Sequence, residues 1–127
     1  MEKYRTPLSK VNGVGTARSG VHEFITHRVS AIIIALVLPF ILYGMIKALP
    51  HGYEGLMAWV HSPLGAFTLL IFITAGLYHG RLGVNEVIAD YVPSLGARSF
   101  WLLVVALLSF SFWLIGVLAI LKIWLGA

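Results

Sequence analysis

The 127 residues contain no cysteine. This chain therefore forms no disulfide, offers no thiolate to a metal and carries no cysteine nucleophile. Charge is nearly as scarce. Charged residues make up 11% of the sequence, against roughly 25% in an ordinary soluble domain. Internal repeats and low-complexity tracts are also lacking. Residues 1–28 have neither a short apolar core nor a small-residue cleavage site, so they do not read as a secretory signal peptide. What is abundant is apolar: hydrophobic residues reach 59%, which places the chain among membrane proteins. The net charge of +4 would raise nucleic acid as a partner in a soluble protein. Here the basic residues gather near the N-terminus, where they read as a topology signal. No nucleic-acid partner is expected.

The sequence predicts an all-α membrane protein with three transmembrane helices, a cytoplasmic segment over 1–28 and a membrane anchor over 29–127. The apolar runs cover about 29–49, 63–89 and 99–125. Each reaches the ~20 residues that cross a ~30 Å hydrocarbon core. Any one alone is compatible with a buried helix of a soluble protein. Three in succession with polar punctuation are the transmembrane signature. Pro39 is expected to kink the first helix or to be absorbed by a neighbour. The first linker, with Tyr53 and Trp59, suits an interfacial aromatic belt and a short helix over 55–61. In the second linker, Pro93, Ser94 and Gly96 are turn-formers. Lys3, Arg5, Lys10, Arg18 and Arg28 precede the first span, and Arg98 lies in the second linker. By the positive-inside rule, the N-terminus and that linker face the cytoplasm.

One helical face of the second span carries Gly76, His79, Gly83, Glu86 and Asp90, with Gly80 adjoining. Small residues on a membrane helix permit close packing of another helix. They also clear room for something flat and large. An ionisable group inside a membrane is costly and raises a functional site, and imidazole is a haem ligand. A neighbouring serine or a backbone carbonyl would equally satisfy a packed histidine. Arg28, at the cytoplasmic mouth of helix one, is either a topology anchor or a partner for carboxylates such as haem propionates. Tyr91 is either an interfacial aromatic or a phenol donor to a polar ligand. Asp90 caps the chain end, orients an arginine or relays protons.

Two blocks, "SGVHEFITHRVSAI" and "YHGRLGVNEVIADYV", resemble the small hydrophobic membrane-anchor family of succinate dehydrogenase (respiratory complex II). Length and three-helix layout agree, and "RTPLSKVNGVGTARSG" looks like the alphaproteobacterial variant. The resemblance implies that His79 is one axial ligand of a b-type haem shared with a second anchor, the cytochrome b subunit. It places Arg28 on a haem propionate and His22 near the haem edge or the iron–sulfur subunit. Tyr91 would hydrogen-bond ubiquinone, with Asp90 supporting it. The implied partners are the cytochrome b anchor, an iron–sulfur subunit and a flavoprotein subunit, with lipid around them. The implied location is a bacterial inner membrane. The chain would have no succinate active site of its own. His27, His51 and His61 receive no role. Two rivals remain: a haem-free structural anchor of a fumarate reductase-type complex, and a small transport protein with Glu86 and Asp90 as a relay.

Overall fold

A computed structural model describes residues 17–126 of the chain. Every long element is a helix: α1, Ala17–Ala48; a 3₁₀ turn, Leu49–His51; α2, Gly52–His61; α3, Pro63–Tyr91; and α4, Leu95–Leu125. Among the described residues, three helical stretches are long and apolar enough to cross a membrane, and the first runs from α1 on through α2. The chain is an all-α membrane protein.

α1 begins at Ala17, well before the apolar run expected from position 29. Apolarity marks the length of chain in hydrocarbon, whereas a helix can continue into water. At ~1.5 Å per residue, the 32 residues of α1 outreach a ~30 Å core. Residues 17–28 are thus helical, and Lys3, Arg5 and Lys10 lie outside the described residues. α1 stays helical through Pro39, although the missing N–H leaves the Ala35 carbonyl without its i+4 donor. Hydroxyls inside the apolar helices turn back onto their own backbone. Thr68 Oγ1 donates to the Leu64 carbonyl at 2.8 Å and Ser111 Oγ to the Leu107 carbonyl at 2.8 Å. In lipid no water is present to satisfy them.

The chain leaves α1 through Gly52, whose φ of +61° is cheap only for glycine. α2 starts three residues earlier than the expected 55–61, and it tucks onto α1 where Gly44 lies under the Trp59 indole. Ser62 alone separates α2 from α3. Its Oγ accepts from the Gly65 N–H at 3.1 Å, and Pro63 occupies the first helical position, a combination that starts helices well. Only Val92, Pro93 and Ser94 separate α3 from α4. Gly96, expected in the turn, belongs to α4, because Ser94 Oγ already caps that helix by accepting from Ala97 N–H at 3.1 Å.

α3 runs antiparallel to both long neighbours and packs between them. The Trp113 indole N–H donates to Thr74 Oγ1 at 3.0 Å, and Gly116 sits against Ile73. The interior is thin: Ile41, Ala48, Ala66, Ala75 and Ile88 are its buried apolar residues among those described. Large apolar side chains of α1 and α4 point outward, as lipid or a partner helix requires.

Candidate functional site

His79 stands on α3 where α1 crosses it, and α1 brings two polar groups to it. Ser30, only 4% exposed, places Oγ 3.0 Å from His79 Nδ1. The same oxygen lies 2.8 Å from the His27 carbonyl, one turn back on α1. The His27 ring stacks on His79, with centroids 4.5 Å apart and planes 25° apart. His27 Nδ1 is also 3.6 Å from Glu86 Oε1. That carboxylate is 62% exposed, so the contact adds little to stability. The serine that would satisfy a packed histidine therefore exists, but it engages one ring nitrogen. Among the described residues, no hydrogen bond reaches Nε2.

The glycines around His79 do not pack within this chain. A Cβ added at Gly76, Gly80 or Gly83 would meet nothing within 4 Å. At Gly44, Gly65 and Gly116 a Cβ would collide with Trp59 or Ile73. Close helix packing explains the second group. The first group borders open space beside the His79 ring.

Other expected site residues are more scattered. Arg28 holds its guanidinium 4.9 Å above the Phe24 ring and is otherwise exposed. It is adjacent in sequence to His27 and two positions from Ser30. His22 is exposed on α1, about two turns from Ser30. Asp90 and Tyr91 end α3, and Tyr91 is 81% exposed. Among the described residues, nothing closes over them. Between α1, α3 and α4 lies a cavity of about 210 Å³ lined by Glu23, Asn85, Glu86 and Leu102. Among the described residues, Asn85 Oδ1 is buried there without a hydrogen-bond partner. Sequence reasoning does not single out Ser30, His27 or Asn85. The available signal for the first two is an i, i+3 polar pair at the start of an apolar run.

The family model described as "Succinate dehydrogenase/Fumarate reductase transmembrane subunit" matches residues 2–118. The chain belongs to this family. The match takes in α1, α2, α3 and most of α4, and so the whole His79 site. Curated relatives agree. The succinate dehydrogenase hydrophobic membrane anchor subunit of Rickettsia bellii is 31% identical over 84% of this chain and 85% of its own length. That of Rickettsia conorii is 30% identical over 82% and 83%. The Paracoccus denitrificans protein of the same description is 25% identical over 98% and 96%. Among the described residues, no group of three or more His, Asp or Glu side chains is placed to hold a metal ion. His79 belongs to no such group, and its helix presents the open glycine face.

Proposed function

We propose that this membrane anchor supplies His79 as one axial ligand of a b-type haem, and Asp90 and Tyr91 as part of a ubiquinone site. The observation that carries the reading is the environment of His79. One ring nitrogen is tied to Ser30, and the ring stands beside the open face of Gly76, Gly80 and Gly83. A flat macrocycle fits such a face, since side chains there would stand in its way. His27 cannot be the opposite ligand. Its ring is stacked on His79, which would leave it unable to hold the group from a second side. The resemblance to succinate dehydrogenase anchors would give a second imidazole to the partner anchor, the cytochrome b subunit.

A b-type haem bound here supplies a one-electron redox centre inside the membrane. The chain's own residues hold and orient. Arg28, exposed one residue from His27, offers a guanidinium to a propionate. Tyr91 offers its phenol O–H to a quinone carbonyl at the end of α3, about 18 Å along the helix from His79. Asp90 supports that end. Succinate oxidation falls to a flavoprotein subunit, with an iron–sulfur subunit passing its two electrons toward quinone. Both dock on the side that carries Arg28 and Arg98, the cytoplasmic side of a bacterial inner membrane by the positive-inside rule.

The test is a tagged complex purified through this chain, with a dithionite-reduced minus oxidised spectrum. A b-type band is expected alongside flavin, and His79→Ala should abolish the band while flavin stays. An unchanged spectrum would remove His79 as ligand. A haem-free anchor of a fumarate reductase-type complex is the second reading. It is favoured by the Ser30 bond, which would also hold a merely packed histidine. It predicts flavin and quinone turnover with no haem band.

A further inference from the structure

We propose that Ser30 is a positioning residue that fixes the His79 tautomer, with the proton on Nδ1 and the lone pair on Nε2 available to iron. The inference rests on the haem reading above and deepens it. Ser30 Oγ has two close polar neighbours, the His27 carbonyl at 2.8 Å and His79 Nδ1 at 3.0 Å. The serine has one proton, and a carbonyl can only accept. If Oγ–H donates to the carbonyl, Nδ1–H must donate to Oγ. If Nδ1 instead carried a lone pair, one of the two contacts would set acceptor against acceptor. One assignment alone makes both contacts hydrogen bonds.

The surroundings sharpen that preference. Ser30 is buried and borders an apolar groove of about 600 Å³ shared with Val29, Ile33, Phe67 and Ala75. No water-like environment is on hand to accommodate a mismatched pair. The hydroxyl is also fixed by α1 backbone, not by another mobile side chain. A free neutral imidazole divides between two tautomers. Here the helix-anchored acceptor selects the one that leaves Nε2 as donor to a metal. Such outer partners orient the ring and raise the basicity of the ligating nitrogen.

The experiment uses the assembled complex, tagged on this chain, as unmutated protein, Ser30→Ala, Ser30→Thr and Ser30→Cys. The readouts are haem affinity, the haem-to-flavin ratio, the haem midpoint potential and the low-spin electron paramagnetic resonance signal. Ser30→Ala should weaken haem binding by about 10- to 100-fold and move the potential upward, because a less basic imidazole stabilises ferric iron less. Ser30→Thr keeps the hydroxyl and should restore affinity, potential and resonance signal. If Ser30→Ala fails to bring flavin with it, Ser30→Cys, of similar size but a weak acceptor, should show the same upward shift. Potential and resonance unchanged in Ser30→Ala, or in Ser30→Cys where it stands in, would overturn the inference. So would a threonine variant as defective as the alanine one. An unmutated complex with flavin and no haem would overturn the parent reading, and this one with it.

Discussion

Replacing Gly83 with leucine separates a surface meant for a partner from one meant for lipid. Among the described residues, nothing lies within 4 Å of a Cβ at Gly83, so the side chain leaves the backbone there into open space. Glycine is about 1 kcal/mol less favourable than alanine in a helix interior, and leucine is close to alanine. α3 alone should therefore be slightly favoured. If a macrocycle or a partner helix occupies that face, four added carbons overpack it. Overpacking costs about 1–3 kcal/mol, or about 5- to 150-fold in the assembly equilibrium. The two effects have opposite signs. Membrane yield of the chain should hold or rise, while the recovered haem and flavin per tagged chain should fall. Gly116→Leu is the control, because its side chain would meet Ile73 of the same chain and lower the yield itself. A Gly83→Leu complex with unmutated haem-to-flavin ratio and assembly yield would refute the reasoning, and the face would revert to a lipid contact.

Three further outcomes are expected. Tyr91→Phe should lower quinone reduction several-fold while succinate oxidation with an artificial acceptor stays the same; equal quinone turnover would remove the phenol from the pocket. Arg28→Leu should lower haem retention or shift its potential, since the guanidinium rests only over the Phe24 ring, at 4.9 Å, among the described residues; no change would leave Arg28 as a topology anchor. Trp113→Phe removes the 3.0 Å bond to Thr74 and should cost about 1 kcal/mol, read as a lower melting temperature of the purified complex with spectra intact.

The spans were legible because uncharged runs of sufficient length have few alternatives to crossing a membrane. Their edges were legible where proline and serine coincide, as at Ser62–Pro63 and Pro93–Ser94. The start of α1 was hidden because residues 17–28 are polar enough to resemble a tail while helical by local geometry. His79 stood out by cost alone, since imidazole within a greasy helix demands a reason. Its neighbours did not stand out. The pairing of Ser30 and His27 with His79 depends on the register between α1 and α3, which the periodicity of neither helix contains. The same limit applies to glycine. Gly83 and Gly116 are identical in sequence, yet one faces open space and the other a side chain.

The corner between α3 and α4 couples the two helices mechanically. Three residues join two long helices there, and Arg98 donates through Nε and Nη2 to the Val92 carbonyl at 3.1 and 2.9 Å. So short a tether keeps the ends of α3 and α4 side by side, and the Arg98 guanidinium ties the start of α4 back onto the Val92 carbonyl. The two helices therefore move as one hairpin, and His79 keeps its depth relative to α4 whatever packs on the outer face of α1.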